Sequence, residues 1–309
     1  MTSDHHTPGT VGDQLPEDLI ELYRSRLRLA GLPTPGHLEP RLPVLGEVRA
    51  VLFDVYGTLV QSTAGEISLH DENGGSAPFY RLAEALETPI PFDRVEALSR
   101  RFREKIETVH STRRALGVDH PEVDIITIWH ALTEEFPELR RGGQEGAFSQ
   151  ARRLALRYEL EANPVAEMPG ARKILRELSQ RSFRLGIISN AQFYTPLLFP
   201  LLFGGTPEEL GIEVAVWSFR LGEAKPSRTL FEEGIKWFAQ AYCLRPEELL
   251  MVGNDLKKDI APAAAAGMKT ALFAGDSRSL RLYPDEPSLA GVEADAVLTD
   301  LAQLQEVLP

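Results

Sequence analysis

The chain has 309 residues, 43% of them hydrophobic and 25% charged, which is room for one large domain or two ordinary ones around a real core. That mix excludes a largely disordered chain, a collagen-like fibre and a small disulfide-stapled scaffold. With 45 acidic against 33 basic residues the net charge is −12, which argues against a dedicated nucleic-acid binder and its basic face. It says little about small anionic substrates, since one local lysine and a metal outweigh the global charge.

The single cysteine, Cys243, permits no intrachain disulfide and fits a reducing cytosol. Its apolar neighbours predict that it is simply packed. The first residues show no basic start followed by an apolar run, so no secretion signal is expected. No uninterrupted apolar stretch approaches the ~20 residues of a membrane helix. The expectation is a cytoplasmic protein with a small-molecule ligand, binding neither nucleic acid nor membrane, its oligomeric state open.

Along the chain, residues 1–14 are polar and expected to be mobile. Helical spacing follows over 16–30 (Leu19, Ile20, Tyr23, Leu27), is stopped by Gly31 and Pro33, and gives way to a proline-rich connector. This extension, 1–45, reads as an appendage on the main body. A short apolar run at 49–53 predicts the first strand. The stretch 61–165 carries no strong strand signal and reads as helices at 77–86, 92–109, 123–135 and 148–161. Apolar runs then recur at 185–188, 214–217, 249–252, 270–273 and 296–298, with helix-period segments at 171–180 and 227–240 between them. Runs of this kind suit strands buried on both faces. Their alternation with helices predicts an α/β doubly wound core with a parallel sheet. The expected domains are the extension 1–45, a core of 46–60 with 166–309, and an inserted helical domain of 61–165. Trp129, Trp217 and Trp237 lie in periodic runs and are expected in the core.

In an open parallel sheet, ligands bind beyond the carboxyl ends of the strands, so the polar residue ending each strand is a candidate. The first strand ends in Asp54, with Thr58 four residues on, and the second in Ser189 and Asn190. Lys225 follows the third strand. The fourth ends in Gly253-Asn254-Asp255, with Asp259 one helical turn on. Phosphoryl transfer uses these parts: a carboxylate nucleophile, further acids to share a divalent cation, and a hydroxyl and an ammonium to hold developing charge. Any one alone is weak; four in order at successive strand ends are not.

The runs Phe53-Asp54-Val55-Tyr56-Gly57-Thr58-Leu59, Ile188-Ser189-Asn190, Ala224-Lys225-Pro226 and Val252-Gly253-Asn254-Asp255 with Asp259 and Ala265-Ala266-Gly267-Met268 resemble the motifs of the haloacid dehalogenase (HAD) superfamily of hydrolases. The resemblance covers 46–60 and 166–275. The helical insert after the first motif is similar to the family's mobile C1-type cap. The resemblance implies an Mg²⁺-dependent phosphatase acting on a small phosphorylated metabolite, with Asp54 forming an aspartyl intermediate. It implies Thr58, Ser189 and Asn190 as substrate-binding residues and Lys225 as the neutralising cation. Mg²⁺ would sit between Asp54, the backbone carbonyl of Tyr56 and a group after the fourth strand. Asp255, with Asp259 close by, fits one family spacing and is favoured; Asn254 fits the other through a neutral amide oxygen only.

Tyr56 departs from the phosphatase pattern, in which a second Asp at this place acts as general acid and base. An unperturbed tyrosine, with pKa about 10, is a poor proton donor or acceptor near neutrality, and losing such a group costs roughly 10²- to 10⁴-fold. Tyrosine here resembles the L-2-haloacid dehalogenase branch, which displaces halide from carbon without a metal. The acids Asp255 and Asp259 point the other way, because clustered carboxylates without a cation repel one another. Three readings follow: phosphate-ester hydrolysis, which is favoured, 2-haloacid dehalogenation, and a weakly active or regulatory binding protein. In the phosphatase reading Tyr56 itself, a residue of the insert or bulk water would have to serve proton transfer, Tyr56 being counted with Asp54 and Lys225 among the candidate catalytic residues. His70, His110, His120 or His130 of the insert would do so if closure brought one over the site, though surface or core roles are simpler. Arg100, Arg101, Arg103, Lys105, Arg113 and Arg114 are expected to form a solvated helix face balanced by glutamates. Gly65, Gly74 and Gly75 mark a hinge or a plain linker.

Overall fold

The computed structural model describes residues 17–27, 32–62, 76–86, 90–140 and 146–309. Its strands are β1 (Ala50–Phe53), β2 (Val60–Ser62), β3 (Val165–Glu167), β4 (Arg184–Ser189), β5 (Ile212–Trp217), β6 (Leu249–Gly253), β7 (Lys269–Phe273) and β8 (Ala296–Leu298). Six of them form a sheet in the order β5-β4-β1-β6-β7-β8, every neighbouring pair parallel. The expected runs match these strands to within two residues at either end. Side chains alternate along β1: Val51 and Phe53 enter one apolar core, Ala50 and Leu52 the other. Both faces are therefore covered, which is why the strand sequences show no polar alternation.

The helices are α1 (Glu17–Leu27), α2 (Ala77–Glu84), α3 (Phe92–Ala115), α4 (Ile125–Glu135), α5 (Ala147–Ala162), α6 (Ala171–Gln180), α7 (Thr195–Phe203), α8 (Ser218–Leu221), α9 (Arg228–Tyr242), α10 (Ala261–Ala265) and α11 (Leu304–Val307). Leu230, Phe231 and Phe238 of α9 pack with Leu52 and Met251 on one face of the sheet. Ile174, Leu175 and Leu178 of α6 join the core on the other. The expected α1 is present over its described part; positions 16 and 28–30 lie outside the described residues. It is more than an appendage, since Leu19 and Tyr23 are buried in the main core and the helix lies against α5 and β3. The polar start 1–14 is outside the described residues.

Helices α2 to α5 form the insert. Its centre is an aromatic cluster of Phe79, Phe102, Trp129 and Tyr158, with ring centroids 4.6 to 6.2 Å apart. Each such contact adds about 0.5–1.5 kcal/mol beyond the area buried. Trp129 and Trp217 are buried as expected; Trp237 is half-buried against the second core. Cys243 corrects its expectation. It ends α9 in the left-handed conformation, φ 54°, and is exposed, because the chain must reverse there and the side chain is turned out of the apolar face.

The strand-free reading of 61–165 also needs correction at its ends. β2 and β3 pair antiparallel, Val60 with Glu167 and Ser62 with Val165, so a two-stranded ribbon carries the chain into and out of the insert. A buried polar chain sits beside it: Ser62 Oγ donates to Asn163 Oδ1 (2.9 Å), Asn163 Nδ2 to Glu159 Oε1 (3.1 Å), and Tyr194 Oη to Glu159 Oε2 (3.0 Å). Burial raises the Glu159 carboxyl from 4.5 to about 7, against the lowering effect of its two neutral donors. The folded-state value thus lies above the unfolded one. Glu159 therefore contributes stability that is present below about pH 4.5 and lost as pH rises through about 7, a change on the order of 3 kcal/mol. Glu159→Gln is expected to remove this dependence and to raise stability above pH 7. Urea unfolding at pH 5 and pH 8 checks it; a variant whose midpoints track those of the wild type at both pH values refutes it.

Candidate active site

β1 lies at the centre of the sheet with β4 on one side and β6 on the other, so the loops leaving these three strands meet at one rim. Asp54 follows β1 directly. Its Oδ1 accepts from Ser189 Oγ at 2.9 Å and from Lys225 Nζ at 2.7 Å. The Lys225 ammonium also donates to Asp259 Oδ1 at 2.5 Å and to the Ile188 carbonyl at 3.2 Å. Asp259 Oδ2 accepts from the Asp255 backbone N–H at 3.0 Å. Residues 54, 189, 225, 255 and 259, spread over some two hundred positions of the sequence, are thus joined through direct hydrogen bonds.

Two glycines make this approach feasible. Gly57 has φ +87°, and a Cβ there would strike the Asn254 amide at 2.5 Å; only glycine turns the chain back so closely. At Gly253 a Cβ would lie 2.4 Å from the Asp259 carboxyl, so the end of β6 must be bare for Asp259 to reach Lys225. Asn190 holds the lysine loop: its Oδ1 accepts from the Lys225 N–H at 2.6 Å and its Nδ2 donates to the Lys225 carbonyl at 3.3 Å.

A cleft of about 220 Å³ opens over these groups. Asp54, Tyr56, Asn190, Lys225, Asn254, Asp255 and Asp259 line it from the core, and His110, Arg114, His120 and Glu122 from the insert. Thr58 and Ser189 are fully buried and do not line the cleft. Thr58 Oγ1 donates to Asn254 Oδ1 at 3.2 Å, while Ser189 sits against the Asp54 carboxylate. The Tyr56 hydroxyl bonds Thr195 Oγ1 at 3.0 Å, and burial first, then the charge of Glu159, hold its proton far more tightly than an exposed tyrosine does. It is therefore a still poorer acid or base than the sequence suggested.

Three carboxylates surround one ammonium. Burial pulls Lys225 down, but Asp259 and Asp54 together raise it above an ordinary lysine, so it is cationic across the working range. Burial raises Asp259 to about 7, with Asp54 and Asp255 adding to the rise and Lys225 opposing it. Asp255 is raised as well, by burial, against the opposing backbone N–H of Lys258 and the hydroxyl of Tyr283. Its Oδ1 caps the turn after β6, accepting from the Lys257 and Lys258 N–H groups at 2.9 and 2.8 Å, and Tyr283 Oη donates to its Oδ2 at 2.8 Å. Asn254 is also committed, its Nδ2 donating to the Ser279 carbonyl at 2.6 Å.

The basic run divides. Arg101 and Lys105 pair with Glu135, and Arg100 with Glu104, as the solvated reading expects; Arg114, bonded to Glu107 at 3.4 Å, reaches the cleft. His130 stacks on Phe148 away from it, ring centroids 4.3 Å apart. His70, Gly65, Gly74 and Gly75 lie outside the described residues. Sequence reasoning missed Glu122, Lys258 and Arg281, which also border the cleft. Lys258 sits next to the paired acids and was within reach of the motif; Glu122 and Arg281 lie in loops with no pattern to mark them.

A strand-end carboxylate, lysine and paired acids at one rim of a doubly wound sheet define a hydrolase of the haloacid dehalogenase type. The model of the haloacid dehalogenase-like hydrolase family matches residues 48–267, and the chain belongs to that family. Glyceraldehyde 3-phosphate phosphatase of Pyrococcus furiosus is 35% identical over 147 residues, 46% of this chain and 54% of that protein. Ribulose-1,5-bisphosphate 5-phosphatase of Halopiger xanaduensis is 26% identical over 141 residues, 46% of this chain and 56% of that protein. The chain spans about half the length of the curated relatives it matches. Among solved structures, the 2-haloacid dehalogenase of Pseudomonas syringae pv. Tomato DC3000 shares the fold with a TM-score of 0.51 at 20% identity, over 84% of this chain and 97% of that one. No helix among the described residues is long and apolar enough to cross a membrane.

Proposed function

We propose that the protein is a magnesium-dependent phosphatase acting on a small phosphorylated metabolite, with the core as its catalytic domain and residues 61–165 as a cap. The observation that carries this reading is the Asp54 carboxylate itself. Ser189 and Lys225 both hold its Oδ1, and Oδ2 accepts no hydrogen bond from a described residue. An oriented carboxylate with one oxygen free is a nucleophile in waiting. Oδ2 attacks phosphorus in line, the ester P–O bond breaks, and the leaving oxygen takes a proton from an acid of the cleft or from bulk water. Water then attacks the aspartyl-phosphate, its P–O bond to Asp54 breaks, and the carboxylate returns. Lys225 neutralises Asp54 and the phosphoryl group, and Asn190 fixes the lysine loop. The curated relatives' names support a sugar-phosphate-sized substrate.

The donor set suits Mg²⁺. Among the described residues no three His, Cys, Asp or Glu side chains form a ready-made metal cage, but Mg²⁺ is ordinarily held by one or two carboxylates, water and substrate phosphate. The Asp54 carboxylate, the Tyr56 carbonyl and Asp255 would hold it, with Asp259 behind, and the excess negative charge of three acids on one ammonium favours a cation. When bound, the ion supplies charge neutralisation of the phosphoryl oxygens. Phosphate release from para-nitrophenyl phosphate, expected with Mg²⁺ and lost in EDTA, tests the reading. Chelator-resistant release of halide from a 2-haloacid, without phosphate release, would replace it with dehalogenation.

A further inference from the structure

The proposed phosphatase lacks an acid at the place of Tyr56, and the insert presents one from another direction. The loop between α3 and α4 is zipped to the core: the Glu122 N–H donates to the Gly222 carbonyl at 2.9 Å, and the Ala224 N–H to the His120 carbonyl at 2.8 Å. Pro121 and Glu223 thereby pair as a short antiparallel bridge, three residues or fewer before Lys225. Glu122 is carried onto the cleft wall that Asp54 also lines.

Its carboxyl group is fixed by three donors from three segments. Oε1 accepts from the Val123 N–H at 2.9 Å and from Gln192 Nε2 at 3.1 Å, and Oε2 from Ser218 Oγ at 2.7 Å. Ser218 lies within reach of a second acceptor, the Ala191 carbonyl at 3.1 Å, and itself accepts from the Ala191 N–H at 2.8 Å. This wiring suits both states of the acid. With Glu122 ionised, the Ser218 hydroxyl donates to it. With Glu122 protonated on Oε2, the carboxyl donates to Ser218, whose hydroxyl turns to Ala191, and no partner is left unsatisfied. Burial favours the protonated form, against Ser218, Val123, Gln192 and the charge of Arg113. His110 and His120 line the same cleft, but among the described residues no hydrogen bond orients their rings.

We propose that Glu122 is the general acid and base of this enzyme, an inference that rests on the phosphatase reading. Its Oε2 proton turns from Ser218 and passes to the leaving alcohol oxygen as the ester P–O bond breaks, and the Ser218 hydroxyl turns back to donate to the bared oxygen. The resulting carboxylate takes a proton from the water that attacks the aspartyl-phosphate, which restores the acid.

The test compares an alkyl monoester, glycerol phosphate, with para-nitrophenyl phosphate, whose leaving group needs little protonation. Glu122→Gln keeps every hydrogen bond above, its Nε2 donating to Ser218, so the melting temperature is expected to hold. Its single-turnover rate of alcohol release from glycerol phosphate, which reports the acid step alone, is expected to fall at least about 100-fold, with a loss on the aryl ester no more than about a tenth as large. Glu122→Asp, which keeps an acid, is expected to recover part of the alkyl-ester rate. Equal losses on the two esters, no loss on the alkyl ester, or a selective alkyl-ester loss in His120→Gln instead would overturn the role of Glu122 while leaving the phosphatase reading intact. Absence of Asp54-dependent phosphate release from both esters in the wild type would overturn that reading and this one with it.

Discussion

Asp54→Asn is expected to lower kcat by at least about 10⁴-fold, the scale seen when a nucleophile is removed from an intact site. The amide oxygen can still accept from Ser189 and Lys225, so the pocket keeps its shape, but the amide nitrogen has no lone pair to give to phosphorus. Stability is expected to hold or rise. The wild type sets three carboxylates, Asp54, Asp255 and Asp259, against Lys225, and loss of one leaves Lys225 paired with Asp259 at 2.5 Å. Steady-state phosphate release and a thermal melt, run on the same preparation, separate the two effects. A residual kcat within tenfold of the wild type would remove Asp54 from the chemistry.

Lys225→Met is expected to cost about 3–5 kcal/mol of stability near neutral pH, because it strands buried carboxylates without their cation. Lys225 and Asp259 are almost entirely buried, with side-chain exposures of 3% and 1%, so solvent screening offers little relief. The cost should shrink in acid. Asp259 in the wild type is raised by burial to about 7 despite the opposing pull of Lys225, and without that lysine it rises further. A carboxyl whose folded value exceeds its unfolded value contributes stability below the unfolded value, near 3.8, and loses it as pH rises through the folded one. Urea unfolding at pH 5 and pH 8 is therefore expected to show the larger difference from wild type at pH 8. An equal difference at both would mean that the lysine acts through packing alone. Turnover should fall as well, by about 10²- to 10³-fold, as for other lost charge-stabilising donors.

The sheet was legible because a strand covered on both faces has to be apolar throughout, as Ala50-Val51-Leu52-Phe53 is. The ribbon of Val60-Gln61-Ser62 and Val165-Ala166-Glu167 was not. Each strand is three residues long and carries no alternation, and the two pair only because the rest of the chain brings them together across about a hundred positions. Cys243 looked packed between Tyr242 and Leu244, yet the helix had to end there in a left-handed turn. At the site, strand-end position alone marks Asp54, Asn190, Lys225, Asp255 and Asp259 as neighbours. It does not say on which side of the Asp54 carboxylate a hydroxyl will fall, which is why Thr58 and Ser189 lie beneath the cleft floor. Glu122 was illegible for a different reason: its place depends on a loop of one layer hydrogen-bonding a loop of the other.

The way α1 lies across the junction bears on how far the two layers can part. A ribbon of two short strands is by itself a compliant pivot. Leu19 and Tyr23 are buried in the core on a helix that lies against α5 and β3, so a wide swing would draw them toward water, at about 1.5–3 kcal/mol for Leu19 fully uncovered. On the proposed reading of 61–165 as a cap, the leading helix is expected to act as a spring stop that leaves small openings cheap and resists larger excursions.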